Sequence, residues 1–267
     1  MLLPTKTVEK PWGMDTLPAP FSAPEGKRIG EIWFEPPEQL RQLLVKYIFA
    51  SEKLSIQVHP SDTQTEAKGL GKQGKEECWL VIDAHEDATL GIGFDHELSG
   101  DELRAASEEG SIEELMIWHK VKPGDFFYIP ANTVHAIGGG VSIIEIQQNS
   151  DITYRLYDYG RPRELHLDDG VAVSQAGVHD PANRRQVPAS GDVALVDGPH
   201  FRLDRVDGQP DAATEARYSG PLLVIPREGA AEVEGETVEP GGCALAPSIE
   251  AIRFADSGSC LITQPLV

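Results

Sequence analysis

Apolar residues in this chain come in short runs, among them KLSIQVHP, CWLVIDA, DFFYIP and VSIIEIQQ, each bounded by Gly, Pro or other turn-forming residues. Such runs are too short for helices and fit strands. Their repetition over the first 165 residues predicts a mainly β fold, a sandwich or a barrel. Within LSIQVHP, residues 54 to 60, side chains alternate with period two, so Ile56 and Val58 face one way while Gln57 and His59 face the other. Two polar groups thus share one spot. A glutamine and a histidine hydrogen-bonded in a core or on a wet face would explain this, as would a pair of metal ligands.

The pattern changes once within this region. Between Leu98 and His119, Ser99 with Glu102 and Ser111 with Glu114 form capping-box signatures ahead of helix-forming residues. A helical insertion over about 97–119 is therefore predicted, parted near Gly110, either capping one end of the barrel or walling a cleft. After about residue 165 the apolar runs thin out, and no lysine follows Lys122. This shift predicts a first domain over 1–165. Residues 166–267 then form a linker and a smaller β domain, with strand signals in PLLVIP, AAEVEG, CALAP and SCLITQPLV.

Length and charge narrow the classes. A chain of 267 residues can bury one large core or two ordinary ones. A net charge of -20 repels nucleic acid and anionic membranes, so neither is an expected partner. No apolar run approaches the roughly 18 residues of a spanning helix, and MLLPTKTVEKPWG lacks the features of a signal peptide, so a cytoplasmic location is expected. Cys78, Cys243 and Cys260 are odd in number and without CxxC spacing. They argue against disulfides and thiolate zinc, which leaves nitrogen and oxygen donors for any metal.

The segment KPGDFFYIPANTVHAIGGG places His135 after a tight turn at the start of a strand, in the spacing G-x5-P-x-N-x2-H. This resembles the second motif of the cupin superfamily, in which the histidine is a metal ligand inside a small jelly-roll barrel. Asn132 stands where glycine is usual, and asparagine best tolerates the left-handed backbone of that step. The first cupin motif, HxH with a nearby glutamate, is absent. The chain instead resembles the type I mannose-6-phosphate isomerases, in their short bacterial form. The likeness is carried by KPWG, GEIW, VKYIFASEKLSIQVHP, GKEECWLVIDA, VKPGDFFYIPANTVHAIGGG and QQNSDITYRLYDYGRPRELH, which together span most of the first 170 residues.

The resemblance implies a cupin barrel followed by a half-cupin domain without a metal site, since VEPGGCALAPSIEAIRF has no histidine where His135 would recur. It implies one zinc ion per chain, held by Gln57, His59, Glu77 and His135. The implied substrate is a sugar phosphate, and the implied reaction interconverts mannose 6-phosphate and fructose 6-phosphate through an enediol. Arg155 and Arg161 match cleft positions, Lys75 matches the lysine two residues before the metal glutamate, and Ser55 matches a position suited to phosphate or a sugar hydroxyl. Arg163 is read as solvated, Trp12 as packing at the barrel mouth, and the remaining histidines as structural. Three groups are candidates for proton transfer: Glu145, whose pKa would rise if buried without a partner; Asp151; and Lys75, if a metal depressed its pKa. Gly74 departs from longer relatives, which carry a histidine there. An isomerase of a related sugar phosphate, or a sugar-phosphate-binding module without turnover, would share many of these features. Oligomeric state is not legible.

Overall fold

The strand Leu43–Ala50 is buried along its whole length, and so is its partner Val141–Gln148. In a computed structural model, which describes residues 1–266, these strands lie at the heart of a seven-stranded antiparallel sheet. Its spatial order is Thr5–Met14, Ile29–Phe34, Leu43–Ala50, Val141–Gln148, Glu77–Ala84, Asp125–Ile129 and Arg184–Gln186. A second sheet, Tyr154–Tyr157, Ile56–Val58, His135–Ile137, Thr89–Phe94 and Met116–Lys120, lies across it. Trp79, Val81, Ile48 and Ile143 from the first sheet pack with Leu90, Ile92 and Ile137 from the second, closing a barrel. Both faces of the first sheet are covered, which is why its central strands read as largely apolar runs, with Lys46 and Glu145 the charged exceptions.

The second cover comes from the C-terminal residues. Leu43, Val45, Tyr47, Phe49, Cys78, Leu80, Ile144 and Ile146 point away from the barrel interior. They share a core with Leu203, Leu223, Ile225, Leu245 and Leu261. Those partners belong to a five-stranded sheet, Val193–Asp197, Phe201–Asp207, Ser259–Pro265, Leu222–Glu228 and Ala244–Ala246. A three-stranded sheet, Glu236–Val238, Ala231–Val233 and Ile252–Arg253, completes this smaller unit around a core that includes Val206, Val224, Val233 and Ile262. The chain's start is tied to it as well, since Leu3 N donates to Cys243 O. Val267, the last residue of the expected C-terminal unit and of the segment SCLITQPLV, lies outside the described residues.

The composition shift near residue 165 does not coincide with the edge of the first unit. Helix Leu167–Val173 packs on strand Tyr154–Tyr157, and Arg184–Gln186 pairs with Asp125–Ile129. The predicted helices are Gly100–Glu109 and Ile112–Leu115, parted by Gly110 in the left-handed conformation. Ser99 and Glu102 make the reciprocal capping bonds, whereas Ser111 is itself in helical conformation and caps nothing. The insertion covers the outer face of the five-stranded barrel sheet, where Leu103, Ala106 and Ile112 meet Ile56, Val58 and Leu156. That face needs a lid because Ile56 and Val58 alternate outward when Gln57 points in. Among the described residues no helix is long and apolar enough to cross a membrane.

Candidate metal centre

Gln57 and His135 are direct register partners on neighbouring antiparallel strands. Their side chains therefore emerge together into the barrel, and Gln57 Nε2 lies 3.4 Å from His135 Nε2. His59 follows just past the strand end, its carbonyl accepting from Asn132 N at 2.8 Å. Asn132 has φ of 74°, the left-handed step expected of it, and turns the chain so that His135 opens its strand facing inward. Glu77 arrives from the opposite sheet as the first residue of its strand, facing the interior with Trp79 while Cys78 turns to the outer core. The ligand-capable atoms of His59, Glu77 and His135 all lie within 4.8 Å of one another, and all three residues are buried.

Both imidazoles are oriented for ligation. Each Nδ1 is 2.8 Å from a backbone carbonyl, that of Ile152 for His59 and that of Thr133 for His135. A carbonyl can only accept, so each Nδ1 carries the proton and each Nε2 presents its lone pair to the centre. His59 Nε2 is buried with no hydrogen-bond partner among the described residues, a costly state unless something else fills its coordination. Burial, then Lys75, lowers the His59 pKa far below its usual value, and burial lowers that of His135 to about 4. Both rings are therefore neutral near pH 7. The donor set fits a divalent ion bound through nitrogen and oxygen. Turning the Gln57 amide about its last bond exchanges its oxygen and nitrogen, and Ser55 Oγ, 3.1 Å from Gln57 Oε1, can bond either.

Above this floor opens a cavity of about 240 Å3. Ser55, Gln57, Lys75, Glu145, Asp151 and Arg155 all line it, so the structure brings these expected site residues together. Arg161 stands outside the lining and pairs with Asp158 and Glu52. Arg163, which the sequence suggested was merely solvated, lines the cavity while holding Asp158 in a two-pronged ion pair. Trp12 is buried at the cavity wall. Gly74 lies against the backbone of Pro60 to Asp62, and a Cβ there would sit 2.3 Å from Pro60 O, so this backbone excludes any side chain.

Lys46 is the largest omission from the sequence reading. It sits on the inward face of Leu43–Ala50, opposite Glu145, which is in turn opposite Trp79. Lys46 Nζ lies 2.8 Å from Glu145 Oε1, and Trp79 Nε1 donates to Glu145 Oε2 at 3.1 Å. Lys75 Nζ is 3.9 Å from Glu145 and 2.8 Å from Glu77 Oε2. Burial alone would raise the Glu145 carboxyl, but Lys46 and Lys75 outweigh it and hold it at about 2. The raised pKa expected for a partnerless Glu145 is thus replaced by a depressed one. Lys75 also runs opposite to the depressed value a base would need: burial lowers it, but Glu145 and Glu77 push it above the usual lysine range. Burial, then Glu145, raises the Glu77 carboxyl. A single lysine within the apolar run LLVKYIFA was the available signal, since a buried ammonium requires a buried acid.

No family model matches the chain. Among curated proteins, the mannose-6-phosphate isomerase ManA of Bacillus subtilis is 47% identical over 56% of this chain and 51% of its own length. The mannose-6-phosphate isomerase of Streptococcus mutans is 32% identical over 84% of this chain and 76% of its own. The chain spans about half the length of the Bacillus relatives it matches. Among solved structures, the mannose 6-phosphate isomerase of Bacillus subtilis superposes with a TM-score of 0.76 at 25% identity, over 98% of both chains. A zinc-bound mannose 6-phosphate isomerase shares the fold, with a TM-score of 0.72 at 13% identity over 100% of this chain and 99% of its own. With the two-sheet barrel and its buried His–Glu–His group, this likeness over most of both chains shows that the protein belongs to the type I mannose-6-phosphate isomerase family, of the cupin superfamily.

Proposed function

We propose that the chain is a zinc-dependent aldose–ketose isomerase interconverting mannose 6-phosphate and fructose 6-phosphate. The observation that carries this is the pair of neutral imidazoles, each fixed through Nδ1 to a carbonyl and converging with Glu77 beneath a cavity lined with cations. Gln57, His59, Glu77 and His135 would hold the ion, which supplies Lewis-acid polarisation of the sugar's carbonyl and hydroxyl oxygens.

The remaining work falls to the chain's own groups. Isomerisation moves a proton between C1 and C2 of an open-chain sugar. The carboxylate of Asp151 is the best placed to carry it, because it lines the cavity and forms no ion pair or side-chain hydrogen bond among the described residues. Glu145 is held ionised, with both oxygens engaged by Lys46 and Trp79, and so serves to fix the two lysines. Arg155, whose buried Nε has no partner among the described residues, presents a planar donor fork to enediolate or phosphate oxygens. Ser55 orients the Gln57 amide. The lining carries Lys10, Lys46, Lys75, Arg155 and Arg163 against Glu31, Glu145 and Asp151, a cationic excess suited to a sugar phosphate and unusual in so acidic a chain.

A coupled assay with mannose 6-phosphate, run with and without chelator, tests the proposal. Turnover should be abolished by chelation and restored by zinc. His135→Ala should lose both zinc and activity, while His96→Ala, at an exposed site, should keep both. Turnover that persists in the metal-free protein, or none with zinc restored, would overturn it.

A further inference from the structure

His200 lies between strands Val193–Asp197 and Phe201–Asp207 of the smaller unit, yet its imidazole reaches into the barrel unit. Its Nε2 is 3.2 Å from Glu76 Oε2, and its Nδ1 is 3.5 Å from Asp62 Oδ2. One ring thus spans two carboxylates, one beside the metal glutamate and the other three residues past His59. Each is tied into a ligand-bearing segment. Asp62 Oδ1 accepts from Gly74 N at 2.7 Å and from Gln148 Nε2 at 2.9 Å. Gln148 Oε1 accepts from Glu76 N at 3.0 Å, and Gln148 N donates to Glu76 O at the same distance. Lys75 N donates to Pro60 O at 3.0 Å. The segments holding His59, Lys75 with Glu77, and Glu145 are therefore stitched together on the side away from the cavity, and His200 closes the stitching from outside.

His200 is itself held firmly. Leu266 N donates to its carbonyl at 2.8 Å, and the next residue, Phe201, is fully buried in the core shared by the two units. We propose that His200 is a positioning residue through which the smaller unit fixes the Gly74–Glu77 segment, so that the barrel's affinity for its metal depends on an imidazole from outside the barrel. This rests on the metal reading given above. It also assigns the smaller unit a part in the site beyond covering apolar surface. Partners that orient ligands typically change metal affinity about 10- to 100-fold when removed, and His200 acts one residue further out, so about tenfold is expected.

The test is a competition titration of zinc between the full-length protein and a chromophoric chelator, with unfolding midpoints measured in parallel. His200→Ala should weaken zinc about tenfold, and His200→Gln, which keeps a donor toward Glu76, should recover most of the loss. Ile225→Val, in the shared core but remote from these contacts, should lower the unfolding midpoint and leave zinc affinity unchanged. Equal zinc affinity in His200→Ala and wild type overturns the proposal, as does an equal weakening in Ile225→Val. Wild-type protein that takes up no zinc overturns the metal reading itself, and this inference with it.

Discussion

Replacing Lys46 with methionine isolates the buried charge pair that holds the cavity wall. Lys46 and Glu145 are 5% and 2% exposed, with Nζ and Oε1 2.8 Å apart. At an effective dielectric of about 20 their attraction is about 6 kcal/mol, most of it offset by taking both charges out of water. Removing one partner strands the other, which typically costs about 3–5 kcal/mol. Here the Trp79 indole and, at 3.9 Å, the Lys75 ammonium remain to share the carboxylate. Lys46→Met should therefore cost about 3 kcal/mol, the low end of that range. Glu145→Gln should cost a similar amount, and the double variant clearly less than the sum, because neither charge is then left alone. Urea unfolding of metal-free protein measures all four corners of the cycle.

The pH dependence has a definite sign. Glu145 is held at about 2, below its ordinary 4.5, so its stabilisation is complete above pH 4.5 and is lost as pH falls from there toward 2. Without Lys46 the carboxyl titrates higher, and the variant's stability curve should be flatter across that window. A single-variant cost under about 1 kcal/mol, the range of exposed pairs, would refute the reasoning. So would a coupling energy near zero.

Two further outcomes are expected. Arg155→Lys keeps the charge but loses the planar fork, so kcat should fall about 100- to 1000-fold with normal zinc content; a rise in KM alone would reduce Arg155 to a ground-state anchor. Asn132→Ala forces a Cβ-bearing residue without a compensating amide into φ of 74° and removes the Nδ2 bond to Gln64 at 2.6 Å. A loss of about 1–3 kcal/mol in thermal or urea unfolding is expected, with Asn132→Gly milder because glycine tolerates the angle; an equal cost for both would place the effect in the lost amide alone.

What the chain discloses by itself is governed by period and by range. Gln57 and His59 were legible because strand alternation sets them apart from Ile56 and Val58, and Asn132 because few residues accept its angle. The choice of Glu77 over Glu76 as candidate ligand came from family likeness, and parity favours it: Glu77 shares the inward face with Trp79, and Glu76 turns toward His200. Pairings between residues far apart in sequence were not legible. Lys46 and Glu145 are 99 positions apart, so the run VSIIEIQQ gives no sign that its acid has company. Arg161 and Arg163 both pair with Asp158, yet Arg163 lines the cavity and Arg161 does not, a difference that their spacing in the sequence does not encode. The helical insertion was visible in the Ser99–Glu102 cap, though not in the Ser111–Glu114 one, and the face it covers depends on strand order, which no local pattern encodes.

The seven-stranded sheet is packed against other strands on both sides, and this bears on how the chain can be cut. A fragment ending near Gln186 would keep His59, Glu77, His135 and the residues lining the cavity, yet would lay bare Val45, Tyr47, Phe49, Leu80, Ile144 and Ile146 as one continuous greasy wall. Exposed apolar surface of that kind seeks another molecule. The barrel is accordingly not a portable module. Anyone grafting, truncating or shuffling it would have to carry the smaller unit along, or repaint that wall with polar side chains first.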